Sequence, residues 1–232
     1  MGRPQKRDIN WDNFPNEKRA HLIEALSQFV TAVRVQRMDE VIENRTRYLT
    51  LALEDVYQPH NAAAVVRTCE AFGVQDLYVI ENRNNFKPSR STVSRGADKW
   101  VDIHYSDNTT SCLESLKDKG YQIAACTLNQ DAVPIDQLNV DKPTVVLIGT
   151  ELKGLTQEAH KLADVNVYLP MQGFTQSLNL SVCAALFLYE LTHKIRRKIP
   201  EWPLSPEEKQ ILKLRWLYKI AGHNYPLDFE QS

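Results

Sequence analysis

Residues 144–149 read Thr-Val-Val-Leu-Ile-Gly, a nearly unbroken apolar run that is too short for a buried helix. A strand with one wet face would alternate, so this run predicts a central parallel strand covered on both faces. Parallel neighbours need crossover connections, which obliges the rest of the chain to alternate strands with helices. The pattern around it agrees. Strands are expected at 48–53, 77–80, 101–105, 121–127 and 165–169, and helices at 61–72, 109–119, 156–163 and 178–197. Gly73 stands where the first of these helices can close. The expected fold class is α/β, a parallel sheet with flanking helices.

The two ends read differently. Leu22, Leu26, Phe29, Val33 and Val41 recur at mostly helical spacing and predict one helix over 17–45. Pro200, Pro203 and Pro206 punctuate a linker, after which 206–220 predicts a last helix. The expected organisation is a helical N-terminal extension at 1–47, a central domain at 48–197 and a helical C-terminal extension at 198–232. Charge follows the same division. Residues 1–47 carry 9 basic against 7 acidic side chains, 48–192 carry 11 against 17, and 193–232 carry 8 against 5. Overall net charge is −1, yet the ends are basic around an acidic middle, so a polyanion would be gripped by the termini.

Other classes are disfavoured. No apolar run reaches the roughly 18 residues needed to span a bilayer, and the start of the chain lacks a secretory signal, so a cytoplasmic, non-membrane protein is expected. Cys69, Cys112, Cys126 and Cys183 form no C-x-x-C pair, which argues against a metal or redox site and for buried reduced thiols.

Three segments carry chemistry. The first, 61–68, is Asn-Ala-Ala-Ala-Val-Val-Arg-Thr directly after the first strand: Asn61 suits an N-cap, and Arg67 is expected near the core face, where it needs an anionic partner. That partner is either internal, such as Glu151, or a bound phosphate or hydroxyl. The second, Gly149-Thr150-Glu151-Leu152-Lys153-Gly154-Leu155, follows the central strand, at the sheet edge where open α/β folds bind ligands. Glu151 occupies the place of the middle glycine of G-x-G-x-x-G and would repel a pyrophosphate, which weakens a nicotinamide-dinucleotide reading. The third runs from Leu169 through Pro170, Met171 and a polar loop to Ser177, Leu178, Asn179 and Ser181, where a helix N-terminus would present free N–H groups. Plain capping by Ser177 is compatible with either reading.

In order and spacing, N-x-x-A-x-x-R-T, G-x-E-x-x-G-L and P-M-x-x-x-x-Q-S-L-N-x-S resemble the three signature motifs of the SpoU (TrmH-like) branch of the SPOUT methyltransferases, over roughly residues 48–197. The resemblance implies a C-terminal deep trefoil knot, a homodimer, no metal, and S-adenosyl-L-methionine as cofactor for methylation of a ribose 2′-hydroxyl in RNA. Carried over to this chain, Thr127, Gly149, Leu169, Met171, Leu178 and Asn179 would contact the cofactor, and Asn61, Arg67, Glu151, Ser177 and Asn179 would be catalytic. Glu151 and Asn61 would orient Arg67.

The favoured RNA is tRNA. Ser94-Arg95-Gly96-Ala97-Asp98-Lys99-Trp100 is similar to the S-x-G-x-x-K-W of tRNA (guanosine-18) 2′-O-methyltransferases, and a separate globular domain such as ribosomal-RNA members carry is not evident before Tyr48. Arg3, Lys6, Arg7, Arg83, Lys87, Arg90 and Arg95, the last four in a long polar loop at 81–99, are expected to contact phosphates. A ribosomal RNA or another tRNA position is the alternative substrate, and a non-catalytic RNA-binding module is the alternative class.

Overall fold

The computed structural model describes residues 11, 14–56, 58–82, 96–151, 153–175 and 177–222. These fall into two units, one comprising Arg45–Pro203 and the other the described residues up to Asn44 and from Leu204 onward. The two end segments, expected as separate extensions, therefore share one unit.

In the end unit, helices α1 (Asn16–Ser27) and α2 (Ala32–Ile42) both pack on α7 (Pro206–Ala221). Leu22, Leu26, Met38, Ile42, Leu212, Leu214, Trp216 and Leu217 are buried there. Ion pairs Arg19–Glu207 (2.6 Å), Lys209–Glu43 (2.6 Å) and Lys213–Asp39 (2.6 Å) stitch its rim. A capping box between Ser205 and Glu208 starts α7. The single helix expected over 17–45 is broken at 28–31. The Phe29 and Val30 N–H groups turn back three residues, to the carbonyls of Leu26 and Ser27, and the β-branched Thr31 is extended as the N-cap of α2. Phe29 and Val33, counted as apolar-face markers, lie exposed.

The larger unit holds seven described strands: β1 (Leu49–Glu54), β2 (Asp76–Ile80), β3 (Asp102–Ser106), β4 (Gln122–Cys126), β5 (Val133–Pro134), β6 (Thr144–Ile148) and β7 (Val165–Tyr168). They form one parallel sheet in the order β3-β2-β1-β6-β4-β7-β5. The apolar run at 144–149 is β6, fully buried at the centre. Alternate side chains feed two cores. Leu49, Leu51, Leu53, Val146 and Ile148 share a core with α3 (Pro59–Phe72) and α6 (Leu180–Lys198). Ala52, Val145 and Leu147 belong to a second core with residues of α4 (Thr109–Asp118) and α5 (Gln157–Leu162).

The chain runs outward from β1 to β2 and β3, then returns to β4 on the far side of β6. This reversal opens a crevice at the carboxyl ends of β1, β6 and β4. The first motif leaves that edge from β1 and the second from β6, while the third leaves β7, the strand paired with β4. The two-residue β5 had no sequence signal, since so short an edge element shows no period. No helix among the described residues is long and apolar enough to cross a membrane.

Candidate functional site

The second motif leaves β6 through a turn that only glycines allow. A Cβ on Gly149 would lie 2.3 Å from the Gly154 carbonyl oxygen, and Gly154 sits at φ +65°. Thr150 and Gly154 close the turn by exchanging backbone hydrogen bonds of 3.1 and 2.9 Å. The turn aims the Glu151 side chain across the crevice. One of its oxygens, Oε1, accepts from Asn61 Nδ2 at 2.9 Å, Asn179 Nδ2 at 3.0 Å and the Leu180 backbone N–H at 3.1 Å. Asn179 Nδ2 also reaches Asn61 Oδ1 at 3.1 Å. A single carboxylate thus ties together all three motif segments, at a helix N-terminus that favours negative charge.

Local capping differs from the expectation. The helix carrying the first motif begins at Pro59 with Gln58 as N-cap, so Asn61 is already inside it and its amide is free for Glu151. Asn179, not Ser177, caps α6, its Oδ1 accepting from the Ser181 N–H at 2.9 Å. Ser177 is exposed in the preceding loop.

Arg67 does not lie on the core face. Ala62, Val65, Val66 and Cys69 fill the inward stripe of α3, and helical periodicity places Arg67 outside with His60 and Ala71. It has no hydrogen-bond or ion-pair partner among the described residues, so Glu151 and Asn61 hold each other and not the arginine. Arg3, Lys6, Arg7, Arg83, Lys87, Arg90 and Arg95 lie outside the described residues.

Two cavities flank the Gly149–Gly154 turn and share Thr150, Glu151, Lys153, Gly154, Leu155 and Leu180 in their walls. The smaller, about 440 Å³, is lined by Thr127, Gly149, Leu169, Met171 and Leu178, five of the six expected cofactor contacts, and by Ser177. The sixth, Asn179, belongs to the Glu151 cluster. Sequence reasoning missed His160, Tyr168, Asn129, Cys126 and Cys183 in the same wall. The larger cavity, about 640 Å³, adds Glu54, Asp55, Gln58 and Asn61. Glu54, buried at the end of β1, accepts from the Thr156 N–H at 2.9 Å and its hydroxyl at 2.8 Å, which anchors the start of α5. Asp55, at φ 54°, makes the sharp exit from β1. An acidic pair ending the first predicted strand was the one available signal for these residues.

The donor set suits an adenosyl sulfonium group. Leu155, Leu169, Met171 and Leu178 offer apolar walls, Thr127 and Asn129 polar edges, and His160 presents a buried Nδ1 with no partner. That orphaned nitrogen is the kind of atom a polar ligand satisfies. Among the described residues, no group of three or more His, Cys, Asp or Glu is placed to hold a metal ion.

Residues 48–189 match the SpoU rRNA Methylase family. A tRNA (guanosine(18)-2′-O)-methyltransferase of Borreliella burgdorferi is 36% identical over 203 residues, 88% of this chain and 92% of that protein. One from Thermus thermophilus is 36% identical over 191 residues, covering 82% and 98%. The crystal structure of the Aquifex aeolicus TrmH/SpoU tRNA modifying enzyme is 34% identical, superposes with a TM-score of 0.71, and covers 84% of this chain and 98% of its own. With the motifs assembled around one carboxylate and a match extending across most of the catalytic unit, the chain belongs to the SpoU rRNA Methylase family.

Proposed function

We propose that this protein is an S-adenosyl-L-methionine-dependent methyltransferase acting on the ribose 2′-hydroxyl of guanosine-18 in tRNA. The observation that carries the reading is the Glu151 cluster, in which a carboxylate from the wall shared by the two cavities holds Asn61 and Asn179. The smaller cavity takes the cofactor, which supplies a methyl group already activated on a sulfonium. The larger takes the nucleoside, so reaction across the shared wall is a matter of alignment and of making the hydroxyl more nucleophilic.

Within this proposal the chain's residues divide the work. Leu169, Met171 and Leu178 exclude water around the cofactor, while Thr127, Gly149 and His160 fix its polar edges. Glu151 fixes Asn61 at the mouth of the larger cavity and Asn179 at the start of α6; Ser177 stands at the opening of the smaller one. Arg67, exposed and unpartnered, is available to hold a substrate phosphate. A guanidinium is a poor base, so the proton leaves to that phosphate or through transient neutralisation of the arginine.

The protein works as a homodimer in the cytoplasm. Val182, Leu186 and Tyr189, spaced by four and three on α6, stay 43–54% exposed, an apolar stripe that a second copy would cover. Arg67 lines neither cavity of its own chain, which fits a role completed across such an interface. The knot implied by the resemblance belongs to the same reading.

The test is methyl transfer from labelled S-adenosylmethionine to an unmodified tRNA transcript, with the labelled nucleotide mapped. Label on the D-loop guanosine ribose is the expected result. Label confined to ribosomal RNA, or to another tRNA ribose, overturns the substrate assignment. Cofactor binding without transfer to any RNA overturns the enzyme reading.

A further inference from the structure

The smaller cavity contains a pair of thiols that the methyl-transfer reading does not use. Cys126 ends β4 and Cys183 lies in the first turn of α6, 57 residues apart in sequence, yet their sulfurs are 3.7 Å from each other. Both line the cavity and are half-buried, whereas Cys69 and Cys112 are buried in the two cores. The structure therefore departs from the expectation of four inert core thiols.

We propose that Cys126 and Cys183 form a peroxide-sensitive dithiol that closes to a disulfide and thereby weakens cofactor binding. Two features make the pair competent. Access is available, because a small oxidant enters by the cavity that both thiols line. Polarity is built in as well. The two sulfurs share a hydrogen bond that either can donate; with Cys126 as donor, the bond lowers the Cys183 pKa against the opposing effect of burial, while the same bond and burial raise that of Cys126. The position in the first turn of α6 favours a thiolate further.

The chemistry balances with a hydroperoxide as the two-electron oxidant. The Cys183 thiolate attacks one peroxide oxygen, the O–O bond breaks, and a sulfenic acid forms with release of hydroxide or alkoxide. The Cys126 sulfur then attacks the sulfenic sulfur and expels hydroxide, which takes up the Cys126 proton as water. Two thiols lose two electrons in all, and the peroxide oxygens gain them.

Forming the bond means shortening 3.7 Å to the disulfide length of about 2.05 Å. The movement falls on the turn of α6 that Asn179 caps and whose Leu180 N–H donates to Glu151. It also falls on the end of β4, next to Thr127 in the cavity wall. Oxidation thus reshapes the cofactor wall and loosens the Glu151 cluster in one step. By reciprocity, bound cofactor should slow the oxidation.

The inference rests on the smaller cavity being the cofactor's. The test treats the full-length reduced protein with a few equivalents of hydrogen peroxide, then measures intact mass, free thiols, disulfide-linked peptides and S-adenosylmethionine affinity by calorimetry. Expected are a loss of about 2 Da, one linked peptide joining Cys126 to Cys183, at least about tenfold weaker binding, and recovery with dithiothreitol. Prior saturation with S-adenosylmethionine should delay the mass change. In Cys126→Ser and in Cys183→Ser, peroxide should leave each variant's own affinity where it began. A sulfinic acid or other cysteine pair in place of that linkage, or the linkage with unchanged affinity, overturns the inference alone. Failure of the reduced protein to bind S-adenosylmethionine overturns the functional reading and the gate with it.

Discussion

Replacing Glu151 by alanine removes the acceptor that joins Asn61, Asn179 and the start of α6. Three hydrogen bonds end on its Oε1. Each would contribute about 0.5–1.5 kcal/mol, more for a charged acceptor in a dry site. Glu151 is exposed, however, so solvent screening keeps these bonds at the lower end, and water can replace part of what is lost. Asn61 also keeps its 3.3 Å bond to Gln58. Adding about 0.3–1 kcal/mol for a carboxylate at a helix N-terminus gives a net loss near 2 kcal/mol. At about 2–4 °C per kcal/mol for a domain of this size, that lowers the melting temperature of the catalytic unit by roughly 4–8 °C. Turnover should fall further, by about a hundredfold or more, because small displacements of positioned groups are costly to reaction. Glu151→Gln retains one carbonyl acceptor and should recover most of the stability but little of the turnover. Thermal unfolding, calorimetric titration with S-adenosylmethionine and single-turnover methyl transfer read the three effects separately. An alanine variant that melts within about 1 °C of the parent and turns over within twofold would refute the argument that this carboxylate organises the site.

Arg67→Ala should retain cofactor affinity, since the side chain lines neither cavity, and lose methyl transfer; Arg67→Lys should not rescue it, because a point charge does not reproduce the guanidinium fork. Normal turnover in either variant, measured under saturating cofactor, would remove Arg67 from the mechanism. Leu186→Asp, on the apolar stripe of α6, should convert a dimer to a monomer in light scattering, and an unchanged mass would place the interface elsewhere. Affinity for tRNA should fall steeply between roughly 50 and 200 mM salt, by tenfold or more if several phosphates are contacted; a flat response in filter binding would argue against the basic contacts.

Much of this protein was decided within short stretches of its sequence. The apolar run of β6, the inward stripe of α3 and the Gly149–Gly154 turn are local: each follows from the period of a strand, the period of a helix, or the steric freedom of glycine. The three motifs were recognisable for the same reason, and the structure lines the smaller cavity with five of the six residues the resemblance implied for the cofactor.

What sequence could not supply was who meets whom across the fold. Arg67 was expected near the core face, with either Glu151 or a bound phosphate or hydroxyl as its partner, yet its rotation about the α3 axis depends on which stripe the sheet covers. Ser177 was read as the cap of α6; the hydrogen bond from the Ser181 N–H gives that place to Asn179. The break between α1 and α2 and the joining of the two chain ends in one unit depend on packing against α7, far along the chain. The contact between Cys126 and Cys183 is the clearest case. Their 57-residue separation carries no pattern, and only the meeting of the end of β4 with the first turn of α6 turns two apolar-looking cysteines into a pair. Local backbone preference is written in neighbouring residues, whereas side-chain encounters are set by how whole elements stack on the sheet.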